Sequence, residues 1–118
     1  MIKSKDNAIL VALVNKETIG FIVLKKEFGG VVFVEWLAVT SEFRGKGIGT
    51  QLLKHMESWA LQQKCHYAYL YTETQKNIGY YTARGFNLVG THTNAWFGET
   101  ENMMGKHLAD KPFEEIFD

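Results

Sequence analysis

The sequence predicts an α+β domain of α/β-type, three-layer build, in which an antiparallel meander leads into a βαβ unit on one mixed central sheet. Three observations predict it. The first third of the chain is a series of β-branched, apolar runs separated by short polar or glycine turns. After residue 48 the apolar residues change to helical spacing. A further strand pattern follows that helix at once, so the strands on either side of it pair in parallel. The chain has 118 residues, which suits one domain, and 46% hydrophobic residues, which supply a core.

The elements follow in order. Ile9–Val14 and Ile19–Leu24 form a hairpin around the polar group Asn15-Lys16-Glu17-Thr18. Gly20 marks a bulge or a close backbone approach. Lys25-Lys26-Glu27 extends the second strand, and Phe28-Gly29-Gly30 makes the next turn. Val31–Val39 is the most hydrophobic strand, interrupted by Glu35. From Ile48, the residues Leu52, Leu53, Met56, Trp59 and Ala60 form one buried helical stripe, closed by Gln62-Gln63-Lys64. Tyr67–Thr72 returns to a strand. Thr74–Ala83 allows a short helix with Gly85 as its C′ residue. Phe86–Thr93 and Met103–Leu108 are the closing strands, joined through the loop Asn94–Asn102. The single domain spans 1–108, and 109–118 reads as an acidic, loosely attached tail.

Charge and cysteine content exclude several classes. Lys+Arg and Asp+Glu both number 13, so the net charge is zero and no basic face for nucleic acid is expected. Lys25-Lys26 reads as solvated surface. The one cysteine, Cys65, allows no intrachain disulfide and reads as a small buried residue rather than a nucleophile. Met1–Lys5 followed by Ala8–Val14 faintly resembles a signal peptide, but Asn15-Lys16-Glu17 stands where a cleavage site needs small residues, so a strand is the better reading. No apolar stretch is long enough for a bilayer. The expectation is a cytoplasmic protein without membrane or nucleic-acid partners. His55, His66, His92 and His107 show no ligand-like spacing, so no metal is expected.

The segment Glu42-Phe43-Arg44-Gly45-Lys46-Gly47-Ile48-Gly49-Thr50 stands where a strand gives way to a helix. Glycine reaches left-handed dihedrals at low cost and lets a ligand approach the backbone. The first turn of a helix carries N–H groups without intrahelical acceptors, at the positive end of the macrodipole. Phosphate or pyrophosphate suits such a place, with Arg44 and Lys46 adding charge. The spacing is neither a P-loop nor a dinucleotide fingerprint. On the glycines alone, a tight strand-to-helix turn is an equally good account.

Read as R-x-x-G-x-G, Arg44 through Gly49 resembles the pyrophosphate motif of the GCN5-related N-acetyltransferases. The preceding Leu37-Ala38-Val39, the loop Thr40–Phe43 and the helix from Ile48 match that family in order and spacing. Tyr80-Tyr81-Thr82-Ala83-Arg84-Gly85-Phe86 resembles its second landmark, aromatic-Tyr-x-x-x-Gly-Phe. The resemblance covers Ile9 to Leu108 and implies a GNAT-like acyl-CoA N-acyltransferase fold. It implies acetyl-CoA as co-substrate and direct transfer of the acetyl group to a primary amine. Arg44, Gly45, Lys46, Gly47, Ile48 and Gly49 would hold the pyrophosphate. Leu37, Ala38 and Val39 would expose backbone at a bulge to the pantetheine arm. Tyr81 aligns with the tyrosine that protonates the departing thiolate, although a packed helix-face aromatic is the other account of it. Glu35 either points to solvent or faces the cleft as general base or docking group for a cationic amine.

Two departures stand out. The family often has an asparagine seven residues before this tyrosine, where the chain has Thr74; Asn77 is a shifted candidate for holding CoA. The chain also opens almost directly on the hairpin, without the usual strand and helices that wall the acceptor pocket. That wall is expected from a second subunit, from the Asn94–Asn102 loop with Trp96 and Phe97, or not at all. A homodimer is one expectation. A non-catalytic acyl-CoA-binding domain or a partner subunit is the alternative to an enzyme. Small metabolite amines, peptide N-termini and lysines all remain open as acceptors.

Overall fold

A computed structural model of the chain describes residues 6–110. Residues 1–5 and the greater part of the expected acidic tail, 111–118, lie outside the described residues. The elements are β1 (Asn7–Val14), β2 (Glu17–Glu27), β3 (Val31–Val39), α1 (Ile48–Gln62), β4 (Tyr67–Thr72), α2 (Gln75–Thr82), β5 (Asn87–His92) and β6 (Glu101–His107). Short 3-10 turns at Ser41–Phe43 and Trp96–Gly98 complete the set. One six-stranded mixed sheet has the order β1-β2-β3-β4-β6-β5. The β3–β4 pair is parallel across α1 and the other neighbours are antiparallel, as the meander and crossover predict.

The first hairpin turns more tightly than expected. Val14 pairs with Glu17, leaving only Asn15 and Lys16 in the turn. Both have positive φ, 51° and 69°, which is the primed turn geometry that follows strand twist. The pairing slips between Ala12 and Leu13, so Ile19 is an extra residue beside Gly20. Gly20 has a second reason: a Cβ there would meet the Ala38 carbonyl at 3.0 Å. Both readings of Gly20 therefore hold.

The bulge in β3 falls elsewhere than expected. Val23 pairs with Trp36 and Leu24 with Val34, which leaves Glu35 as the unpaired residue. Leu37, Ala38 and Val39 stay in register with Ile22, Phe21 and Gly20. A register is set by the partner strand, so an apolar run alone does not show which residue is squeezed out. The slip also reverses the faces: Val32 and Val34 point into the core before it, Leu37 and Val39 pack on the core after it.

α1 buries Leu52, Leu53, Met56 and Ala60 against Ile22, Leu24, Val32, Val34, Ala68, Leu70 and Met104. From the end of α2, Phe86 enters the same cluster, and Ile78, Tyr80 and Tyr81 pack on it. Both helices thus cover one face of the sheet. The second helical layer of a three-layer build is missing among the described residues. The helices end alike. Cys65 N–H reaches the Ala60 carbonyl at 2.8 Å and Phe86 N–H the Tyr81 carbonyl at 3.1 Å. Lys64 (φ 63°) and Gly85 (φ 94°) take the left-handed position between. No helix among the described residues is long and apolar enough to cross a membrane.

Leu24 is fully buried at the centre of this cluster. Leu24→Ala should lower unfolding free energy by about 2–5 kcal/mol in urea denaturation, with the slope unchanged.

Candidate active site

β3 and β4 pair only over Val31–Phe33 with Tyr67–Tyr69. Beyond that point the parallel strands part, and the β4-facing edge of the rest of β3 has no strand against it among the described residues. The gap opens at the C-terminal ends of both strands, where α1 begins. A cleft of about 700 Å³ lies there. Its lining brings together Leu37, Val39, Arg44, Gly45, Gly47, Ile48, Gly49, Asn77 and Tyr81.

The glycine segment forms the floor. Gly45 and Gly47 take φ of 76° and 83°, which only glycine adopts cheaply. Nothing lies within 4 Å of a Cβ built at either position, so the space beside the backbone is open. Gln51 N–H bonds the Gly47 carbonyl at 3.1 Å as the first helical bond. The N–H groups from Gly45 to Thr50 have no backbone acceptor among the described residues. All of these residues but Lys46 line the cleft, at the positive end of a 15-residue helix. Arg44 is committed elsewhere in part: its Nε donates to the Val39 carbonyl at 3.0 Å, pinning the loop to the end of β3. Lys46 does not line the cleft; its Nζ lies over the Phe43 ring at 5.3 Å.

α2 forms the opposite wall. Thr74, where the family pattern has asparagine, is its N-cap and accepts from Asn77 N–H at 3.1 Å. That bond starts the helix so that Asn77 faces the cleft. Tyr81 sits one turn later, between Tyr80 and Phe86, with ring centroids 5.2 and 5.6 Å away. Burial, reinforced by Tyr80 and opposed by Arg84, pushes its phenol up to about 12. It is therefore protonated at neutral pH.

Besides Lys46, two expected site residues stand outside this cleft. Ala38 pairs with Phe21 within the sheet. Glu35, on the bulge, is exposed and does not line the cleft. Cys65 is buried, and burial raises its thiol despite the lowering effect of Lys26, as suits a core residue.

The sequence reading misses Phe43, Thr50, Lys76, Tyr80 and Arg84, which also line the cleft. A signal for most of them exists. Positions 76, 77, 80, 81 and 84 follow helical spacing and form one face of α2 and its last turn. Gly49 is explained by Tyr80, whose hydroxyl lies 2.5 Å from where a Cβ on Gly49 would be.

The family model "Acetyltransferase (GNAT) family" matches residues 1–86. Over 74 residues the chain is 30% identical to streptothricin acetyltransferase A of Bacillus subtilis (strain 168), covering 63% of this chain and 42% of that protein. Over 88 residues it is 28% identical to streptothricin acetyltransferase of Escherichia coli, covering 73% and 51%. The chain thus spans about half the length of these relatives. An aminoglycoside 6'-N-acetyltransferase complexed with coenzyme A superposes with a TM-score of 0.81 at 20% identity, covering 91% of this chain and 76% of that one. That likeness shows the fold.

The raised Tyr81 phenol has a consequence for stability. Between about pH 10 and pH 12 the folded chain keeps a proton that the unfolded chain loses. Its contribution is complete below pH 10 and disappears as pH rises through that window. Urea midpoints measured across it should fall with pH. Tyr81→Phe should reduce the slope without abolishing it, because burial and the hydrogen bond to Glu27 raise Tyr69 as well.

Proposed function

The chain belongs to the acetyltransferase (GNAT) family, and on that premise we propose that it moves an acetyl group from acetyl-CoA to a primary amine by direct attack on the thioester. One observation carries this reading: free N–H groups at the start of α1, the open edge of β3 and a protonated phenol line the same cleft.

The pyrophosphate of acetyl-CoA lies on the N–H groups of Gly45–Gly49, with Arg44 and Lys46 supplying charge around it. Asn77 adds an amide from α2. The pantetheine arm runs along the edge at Leu37–Val39 in the manner of a short added strand. An N–H of that edge polarises the thioester carbonyl as charge develops on its oxygen. The amine attacks the carbonyl carbon, the C–S bond breaks, and Tyr81 gives its phenolic proton to sulfur. The proton lost by the amine passes to a base. Glu35 is the proposed base or amine-docking group, acting through water, since it stands on the bulge next to the open edge.

The acceptor is a small cationic amine in this reading. The relatives named for streptothricin and the CoA-bound neighbour named for aminoglycosides support it. So does a group of carboxylates at the end of the sheet where β3 and β4 part. Desolvation first, then Glu73 and Glu99, holds the Glu101 carboxyl above its ordinary value, and a cation there relieves the repulsion. Trp96 and Tyr71, with ring centroids 5.1 Å apart, stand beside them. The cytoplasm is the compartment that acetyl-CoA and a free thiol imply.

A homodimer belongs to the same reading. The helix-free face of the sheet exposes Val11, Leu13 and Trp36, the last at 62%. A second copy laid on it completes the acceptor wall that the described residues lack. Binding of acetyl-CoA without turnover is the second reading, favoured by the absence of Glu35 from the residues that line the cleft.

Thiol release from acetyl-CoA with a panel of amines, peptides and aminoglycosides decides between the two readings. Turnover with small cationic amines is expected; binding of CoA without thiol release across the panel establishes the second. Gly47→Val, at a left-handed position beside the open space, should raise the Kd for CoA by roughly tenfold or more. Tyr81→Phe should lower kcat by roughly a hundredfold with CoA affinity kept. Glu35→Gln should change the shape of the pH–rate profile if Glu35 is the base, and leave that shape unchanged if it only docks the amine. Sedimentation equilibrium at micromolar concentration should give a dimer, and a monomer there rules out the second-copy wall.

A further inference from the structure

The two walls of the cleft belong to separate elements, and one side chain spans them. Arg84 Nε donates to Thr50 Oγ1, in the first turn of α1, at 2.8 Å. Its Nη1 donates to the Tyr80 carbonyl of α2 at 2.7 Å, and its guanidinium lies 3.6 Å from the Tyr80 ring centroid. The Arg84 carbonyl in turn accepts from Lys106 Nζ at 2.9 Å. Lys106 pairs with Glu57, two turns along α1, at 2.7 Å. Arg84 is thus fixed at its head and at its backbone, and both it and Thr50 line the cleft.

A threonine hydroxyl has one proton to give and two lone pairs. Arginine is always protonated and only donates. Arg84 occupies one lone pair of Thr50 and so fixes the oxygen in place, while the hydroxyl keeps a second lone pair and its proton, which is free to be donated. Threonine in a helix ordinarily spends this proton on the carbonyl four residues back. No carbonyl receives it among the described residues, although Thr82 does make that bond, to Ile78, at 2.7 Å. The charged donor also polarises the hydroxyl, which strengthens its own donation.

We propose that Arg84 is a positioning residue that holds Thr50 as a hydroxyl donor to the pyrophosphate of the donor substrate. The inference rests on the acetyl-CoA reading of the cleft. It adds one oriented side-chain arm to a cradle otherwise built from backbone N–H groups. It also explains why the Tyr80 ring lies so close to Gly49: the ring is the platform on which the guanidinium rests.

Calorimetric titration of CoA tests it through a double-mutant cycle. Arg84→Met and Thr50→Val should each raise the Kd by roughly tenfold, and the double variant should bind no worse than Thr50→Val. The loss should be equal for CoA and 3'-dephospho-CoA, because both retain the pyrophosphate. Arg84→Lys should resemble Arg84→Met, since an ammonium lacks the fork that reaches Thr50 and Tyr80 together. Additive losses, a loss confined to CoA, rescue by lysine, or an unchanged Kd for Arg84→Met each overturn the inference while leaving the donor-site reading intact. Failure of the wild-type chain to bind CoA overturns both. Far-UV circular dichroism checks the fold of each variant; should Arg84→Met not fold, the comparison of Thr50→Val with Arg84→Lys carries the same outcomes.

Discussion

The cleft depends on the parting of two parallel strands. β3 and β4 share three residue pairs and then separate. Had they stayed paired, the edge at Leu37–Val39 would be consumed by the sheet, and α1 would start over a closed surface. The bulge at Glu35 is the local cause. An unpaired residue bends its strand and strengthens its twist, and here it also turns Leu37 and Val39 toward the helices. The strand keeps its ladder to β2 while it leaves β4. One residue thereby supplies both the opening and the side chains that line it.

Around that opening, backbone supplies most of the polar groups left without a partner among the described residues. The first turn of α1 cannot satisfy its own N–H groups, and the left-handed glycines before it clear the space in front of them. Side chains act mainly as braces. Arg44 ties the loop to β3, Thr74 starts α2, Arg84 joins α2 to α1, and Lys106 anchors Arg84 to Glu57. The polar groups within the sheet are similarly paired: buried Asn102 donates to the Thr72 carbonyl at 3.0 Å and accepts from Thr91 at 2.9 Å. That bond set holds β4, β6 and β5 together at the end of the sheet where the cleft opens.

What could be read from the chain was whatever its neighbours in sequence determine. The strands Val31–Val39 and Tyr67–Thr72, the stripe of α1 and the glycine turn all rest on local periodicity or backbone freedom, and they appear where expected. The position of the bulge did not, because it depends on how β3 meets β2. Arg84 and Thr50 are 34 residues apart and show their connection only once α2 lies beside α1. Thr74 looked like a defect in the family pattern; as an N-cap it has a structural duty of its own. Glu35 was singled out as an odd carboxylate in an apolar strand. Its oddness belongs to the bulge it forms, whatever chemistry it performs there.

β1 ends the sheet, and its outer side carries no partner strand among the described residues. All eight of its residues, Asn7 to Val14, are uncharged, and proline is absent. Natural edges are usually guarded by lysine, proline or a covering element. This one offers a bare ladder of main-chain donors and acceptors with a hydrophobic flank. Such an edge can pair with a second strand through backbone alone, with little regard for side-chain identity. The practical consequence falls on handling: a bare, uncharged edge of this kind favours association through backbone as concentration rises.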